Sequence, residues 1–232
     1  MVSSCLLRCK DEHMTKLDNE WSDSFIFDVS LLRESEEAAH QRTLDICENN
    51  NKLDECIKKC NDSTERRVLQ MGLEPWKEIC GNLEELLTQF SCWRDNLDTL
   101  TLSCHIESHG LRRTLDTFAH NTSLLIVEVV CREMTNLSMC LIKHYGRYCG
   151  SITKKILLQL MKSSRKTITD VLRVRWEILP EACTEDLAFF REVEDAITME
   201  LKENKSIRQH AHNMAGFISL LYLYYFNYIK II

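Results

Sequence analysis

The chain has 232 residues, which is enough for a sizeable core in one large domain or two small ones. Its six glycines and two prolines are too few for the many tight turns of an all-β fold. Its formal charge of −6 gives no reason to expect nucleic acid as a partner. We therefore predict an all-α protein, a disulfide-stapled bundle of about six to nine helices without a sheet.

The twelve cysteines are unusually many, and their number is even. In an oxidising compartment such a set indicates up to six disulfides, whereas in the cytosol the thiols would be buried core residues, metal ligands or redox groups. We expect an oxidised, secreted or cell-surface protein. The expected disulfide cysteines are Cys5, Cys9, Cys47, Cys56, Cys60, Cys80, Cys92, Cys104, Cys131, Cys140, Cys149 and Cys183.

The first predicted helix covers residues 4 to about 19 and carries Cys5 and Cys9. A later helix ends with Cys56 and Cys60. Residues four apart lie on one helix face, so each pair presents two sulfurs along one stripe. Two such stripes on antiparallel helices can be joined by two crosslinks.

Between these stripes and the middle of the chain, three local signals predict helix boundaries. The tract at residues 49–51 consists of Asn, a weak helix former, and favours a break in the helix from Ser35 to Cys60. Asp62 with Glu65 resembles a capping box, and Pro75 is typical of the first turn of a new helix.

An amphipathic stripe follows, built from Leu83, Leu87, Phe90, Leu97, Leu100 and Cys104. Cys80, Cys92 and Cys104 recur every twelve residues, which rotates each sulfur by about 120° on a helix. At least two neighbouring segments must therefore receive them. Residues 106–110 are the expected loop between two halves of the protein.

We expect an N-terminal cysteine-rich helical half over residues 1–110, a C-terminal helical half over residues 111–203 packed on it, and an apolar tail over residues 204–232. The tail is typical of three structures: a helix docked on the core, a removable lipid-anchor signal, or a membrane span. A membrane is therefore a possible partner through the tail alone.

The second half contains a strongly basic run at residues 154–175, opposed within that span only by Asp170. Such a run is usually the solvated side of a helix, but it also fits a sulfated or phosphorylated polyanion. The candidate polyanion-binding residues are Lys154, Lys155, Lys162, Arg165, Lys166, Arg173 and Arg175.

The sequence contains no recognisable catalytic motif, so we predict no catalytic residues and no cofactor. Cys104, His105 and His109 offer metal-ligand types within six residues, but the chain has no Cys-x-x-Cys pair and we predict no metal site. An enzyme with one free reactive cysteine is the rival hypothesis.

Four N-glycosylation sequons support an exported protein, and they begin at Asn61, Asn121, Asn136 and Asn204. Residues 1–10 contain no apolar run long enough for a signal peptide. A mitochondrial helical hairpin would need nine residues between paired cysteines, but Cys47 to Cys56 and Cys131 to Cys140 each enclose eight.

The cysteine order resembles that of the nematode chondroitin proteoglycan 4 type domain. The resemblance rests on Cys5-x3-Cys9, the Cys56-Ile-Lys-Lys-Cys60 element, Cys80 after Gly72-Leu-Glu-Pro, Phe90-Ser-Cys92, and Cys131 to Cys140 followed by Cys149-Gly150. It covers roughly residues 4–183 and implies a secreted, α-helical, disulfide-bonded domain of the extracellular matrix. The chain has no Ser-Gly dipeptide, the usual attachment point for chondroitin chains.

We therefore expect a non-enzymatic, glycosylated, structural or interaction protein whose partner is a protein or a glycan. For the two leading cysteine stripes we predict the antiparallel pairing, Cys5 with Cys60 and Cys9 with Cys56. The pairing of the other eight cysteines stays open.

Overall fold

The computed structural model describes residues 3–21, 32–33, 35–184 and 188–203 of the chain, and these residues contain helices and no strand. The all-α, disulfide-stapled bundle is confirmed. The apolar tail at residues 204–232 lies outside the described residues. The helices are α1 (Ser4–Trp21), α2 (Glu36–Lys58), α3 (Thr64–Gly81), α4 (Leu83–Leu87), α5 (Phe90–Asp95), α6 (Leu97–Ser103), α7 (His105–His120), α8 (Leu124–Arg173), α9 (Glu181–Thr184) and α10 (Ala188–Glu203).

Serine side chains begin three of the long helices. Ser35, Ser63 and Ser123 precede α2, α3 and α8, and each hydroxyl accepts a hydrogen bond from the backbone N–H three residues later. These bonds satisfy donors that a helix start leaves open. The expectation that Asp62 caps α3 is therefore wrong by one residue.

Two predicted helix breaks do not occur. The Asn tract lies inside α2, where the buried Asn50 amide donates to the carbonyl of Ile46 at 3.0 Å. Pro75 lies inside α3 and is itself buried beside Trp76. Burial of the apolar face outweighs these unfavourable propensities, which are only about 0.5 to 3 kcal/mol per residue.

The loop expected at residues 106–110 is also wrong, because these residues form the first turns of α7. The chain leaves helical geometry earlier, at Cys104, and again after His120. Leu111 and Phe118 are buried and hold α7 against α8, so tertiary packing extends the helix toward its start.

Helix α8 is bent into a hairpin at Gly150, whose backbone has φ 83° and ψ −171°. The two arms, residues 124–149 and 151–173, run antiparallel. Ser138 on the first arm contacts the sulfur of Met161 on the second at 3.1 Å, and Arg165 donates to Thr135 at 2.7 Å. This hairpin is the centre of the bundle, and α3, α7, α9 and α10 pack on it.

We expect Gly150→Ala to destabilise the protein by about 1 to 3 kcal/mol, because only glycine adopts this backbone conformation without strain. A Cβ at residue 150 would meet no atom within 4 Å, so any cost is conformational. Gly81→Ala is the matched control, since a Cβ there also meets nothing and no positive φ is involved. Urea unfolding should show neutral or slightly raised stability for the control. Equal stability of the two variants would contradict the strained turn.

One hydrophobic core joins the two expected halves. Trp93 and Phe90 of α5 are fully buried, with ring centroids 5.4 Å apart, and belong to the same cluster as Leu157 of the second α8 arm. The carboxamide of Gln89 is buried as well and accepts a hydrogen bond from Thr153 at 2.9 Å. The bundle therefore does not separate into two cores at residue 110.

Candidate functional site

All twelve cysteines lie in the described part of the chain, and each belongs to a disulfide. The predicted pairs Cys5 with Cys60 and Cys9 with Cys56 are confirmed, and both have Cα atoms 5.7 Å apart. They join α1 to α2 in the antiparallel sense. The other bridges are Cys47–Cys80, Cys92–Cys149, Cys104–Cys140 and Cys131–Cys183.

The six bridges form two separate sets. Three of them lie within residues 5–80, and the other three lie within residues 92–183. No bridge spans residues 81–91, a stretch that includes α4. The two sets are held together by the shared core, by the backbone, and by contacts such as the ion pair between Lys155 and Glu85.

The disulfides have a direct chemical consequence. Six bridges are typical of a protein that folds in an oxidising environment. Since every sulfur is bonded to another, none is a thiolate that could attack a substrate or bind a metal. The sulfur of Cys104 is thereby removed from the metal-ligand group considered with His105 and His109.

An open groove of about 800 Å³ lies between the start of α7 and the first arm of α8, and Phe189 of α10 also borders it. The Cys104–Cys140 bridge fastens its two walls together. The groove is lined by His105, Ile106, Glu107, His109, Gly110, Arg113, Glu133, Asn136, Met139, Cys140, Lys143, His144 and Phe189.

The charged side chains of this groove have no ion-pair partner within the described part of the chain. Glu107, Arg113, Glu133 and Lys143 form no ion pair there. Apolar surface accompanies them, because the Ile106 side chain is 82% exposed. A surface that combines unpaired charges with exposed apolar groups is typical of a binding site.

The predicted basic run is arranged differently. Its residues lie on the second arm of α8 and just beyond it, and each contacts a neighbour. The ion pairs between helices are Lys154–Glu200, Lys155–Glu85 and Lys162–Glu194. The remaining contacts are Lys166 and Arg173 to Asp170, Arg165 to Thr135 and Ala182, and Arg175 over the Trp176 ring. A polyanion would therefore have to compete with acidic side chains for this surface.

The sequons occupy two kinds of position. Asn61 and Asn121 are exposed in the loops that join α2 to α3 and α7 to α8. Asn136 is exposed on the first arm of α8, whereas the hydroxyl of Ser138 in the same sequon is buried. Enzymatic glycosylation of that sequon would therefore have to precede folding. The fourth sequon, at Asn204, lies outside the described residues.

Within the described ranges, no helix combines the length and apolar character required to cross a membrane. Comparison of the chain with protein-family models, with curated proteins and with solved structures finds no significant match in any of the three.

The sequence shows the two histidines on α7 but gives no signal for the rest of the groove. Glu133, Asn136, Met139 and His144 lie on another helix, and their arrival beside α7 depends on how α7 packs on α8. Spacing along one helix cannot reveal such a site.

Proposed function

We propose that this chain is a non-enzymatic protein of the secreted or cell-surface compartment that binds a protein or glycan partner through the groove between α7 and α8. The observation that carries the proposal is the pairing of all twelve cysteines in disulfides. A cytosolic protein would rarely maintain six bridges, and a cysteine-dependent enzyme needs a thiol that this chain lacks.

The groove supports binding as the function. Its histidine and charged side chains point into an open space rather than into a closed, dry pocket, and Met139 and Ile106 add exposed apolar area at the same place. Surfaces of this mixed kind suit a macromolecular partner, for which apolar contacts supply affinity and charges supply specificity.

The cysteine order gives the proposal its biological setting. Its similarity to the chondroitin proteoglycan 4 type domain is consistent with a structural or interaction role in extracellular matrix. Exposed sequons at Asn61 and Asn121 are compatible with a glycoprotein. Because the chain has no Ser-Gly dipeptide, we propose the role of a matrix protein without attached chondroitin chains.

Expression behind a secretory leader in eukaryotic cells tests the compartment. We expect soluble protein with no free thiol after denaturation without reductant, and a mass that falls on enzymatic removal of N-glycans. Ser63→Ala with Ser123→Ala removes the two loop sequons, and Asn61→Gln with Asn121→Gln removes the same sequons while keeping the serine hydroxyls that cap α3 and α8. Both pairs should lose the same glycan mass.

The comparison is the same chain made in a reducing cytosol, which should be aggregated or unfolded. One or more free thiols in the secreted protein would reopen cysteine catalysis. Cytosolic protein that folds stably with its thiols reduced would contradict the proposed compartment.

A further inference from the structure

One glycosylation sequon lies inside the groove that α7 forms with the first arm of α8. Asn136 lines this groove and is exposed, whereas the loop sequons at Asn61 and Asn121 are not part of its lining. Glu133 and Lys143 lie three residues before and seven residues after Asn136 on α8, so the three residues share the helix face that lines the groove. A group attached to Asn136 therefore begins inside the groove.

Two contacts fix the position of Asn136 along the groove. The Cys104–Cys140 bridge joins the two helices at one place, and further along a Cβ added at Gly110 would lie 2.9 Å from the Oε2 atom of Glu133. Asn136 lies between Cys140 and Glu133 on α8, as the first turn of α7 lies between Cys104 and Gly110. The asparagine is therefore opposite the first turn of α7, between these two contacts.

The groove has the size and the chemistry to hold sugars. Its volume of about 800 Å³ lies within the range of roughly 300 to 1,000 Å³ that is typical of ligand pockets. Glu107 and His109 offer polar groups to sugar hydroxyls, and the exposed side chains of Ile106 and Met139 offer apolar surface to the carbon-bound face of a sugar ring. Because Asn136 is itself exposed, a sugar attached there displaces no core side chain.

The sequon is accessible to glycosylation only before the hairpin of α8 closes. In the folded protein the Ser138 hydroxyl is buried, donates to the Met134 carbonyl at 2.7 Å and contacts the Met161 sulfur on the second arm at 3.1 Å. Because Met161 follows Ser138 by 23 residues, a chain that enters the secretory pathway exposes the sequon before the second arm can cover it. Glycosylation and hairpin closure therefore compete, and a chain whose hairpin closes first keeps Asn136 unmodified.

We propose that an N-glycan on Asn136 controls access to the groove. In chains that carry this glycan its first sugars fill the groove and exclude a partner, and in chains that lack it the groove is open. During the transfer the Nδ2 atom of Asn136 loses one proton and bonds to the anomeric carbon of the first sugar. The bond from that carbon to a lipid-diphosphate carrier breaks, and the carrier leaves with the electron pair. This inference rests on the proposed function, since it needs the secretory compartment.

A full-length chain with a single sequon gives a matched comparison. Asn61→Gln, Asn121→Gln and Asn204→Gln together leave Asn136 as the only acceptor in the sequence. After secretion from eukaryotic cells, a lectin column separates the chains that carry the glycan from those that lack it. The two fractions have the same sequence, so any difference between them is caused by the glycan.

Reaction with diethyl pyrocarbonate, which acylates exposed imidazoles, measures access to the groove in each fraction. We expect His105 and His109 to react severalfold more slowly in the glycosylated fraction, because sugars cover that part of α7. His120 is exposed at the other end of α7 and should react at the same rate in both fractions. Adding Asn136→Gln to the single-sequon chain should abolish lectin binding and give the fast rate at both groove histidines. Mass spectrometry of peptides measures each rate.

Glycan mapping of the unmodified chain separates failure of this inference from failure of the proposed function. Glycans at Asn61 and Asn121 with none at Asn136 would overturn the inference and leave the proposed compartment intact. Absence of a glycan at every sequon would overturn both. Equal acylation rates at His105 and His109 in the two lectin fractions would show that the glycan leaves the groove open, which overturns its control of access.

Discussion

We expect reduction of the six disulfides to unfold the protein under otherwise native conditions. Each bridge is worth about 2 to 4 kcal/mol, largely because it restricts the unfolded chain, whereas a domain of ordinary stability has about 5 to 15 kcal/mol in total. The six bridges together therefore contribute about 12 to 24 kcal/mol, which is as large as or larger than that total. Far-ultraviolet circular dichroism after treatment with a phosphine reductant should show loss of most of the helical signal.

Two observations separate this outcome from a local effect. The reduced and alkylated chain should show no cooperative thermal transition, while the oxidised protein treated with the phosphine oxide in place of the phosphine should melt like the parent. A reduced protein that kept its helical signal and a cooperative transition would show that packing suffices and that the bridges are secondary.

Trp93→Ala should cost about 3 to 5 kcal/mol, the usual range when a large buried ring is removed. Trp93 has no exposed surface and packs on Phe90 in the core that joins the two halves, so neighbouring elements cannot easily close the space. For a protein of this size the loss corresponds to a melting temperature lower by roughly 6 to 20 °C. Differential scanning calorimetry of the oxidised variant measures it.

Trp93→Phe is the matched control for this position. It keeps an aromatic ring and removes the indole N–H, which is buried and makes no hydrogen bond within the described structure. Loss of an unsatisfied donor offsets part of the lost volume, so we expect a much smaller effect than for alanine. Similar losses in both variants would mean that the indole's shape, and not the filling of the core, determines stability there.

The sequence predicted the fold class and the leading crosslinks because both depend on local geometry. Scarcity of Gly and Pro excludes most turns, and cysteines four apart share a helix face wherever that helix lies. The partners of Cys80 and Cys92 were not predictable in the same way. Cys80 bonds to α2 and Cys92 to the end of the first α8 arm, and both choices depend on how the helices are arranged in space.

The predicted helix boundaries were wrong where burial of apolar side chains outweighed the low helix propensity of single residues. Asn50 and Pro75 are poor helix residues in isolation, yet both are buried within continuous helices. Their neighbours Leu53 and Trp76 lie in the core, and interrupting either helix would remove these side chains from it. Propensity scales contain no term for that loss.

The basic run and the groove could not be predicted from sequence either, because both depend on contacts between residues that are far apart in the chain. The basic run looked unopposed because its neutralising partners are remote in sequence, with Glu200 46 residues from Lys154 and Glu85 70 residues from Lys155. The groove also depends on residues that are distant in sequence. Its histidines on α7 are evident, but Glu133 joins them only through the packing of two helices.

The absence of any bridge across residues 81–91 has a consequence for biosynthesis. Because the first three disulfides all close within residues 5–80, a chain that is translocated into an oxidising lumen, as we propose, can complete them before Cys92 enters that lumen. Six cysteines allow only 15 complete pairings, and the second six again allow 15, whereas all twelve at once would allow on the order of ten thousand. Under that proposal, synthesis from the N-terminus would let each half of the nascent chain select its three disulfides from 15 pairings rather than from thousands.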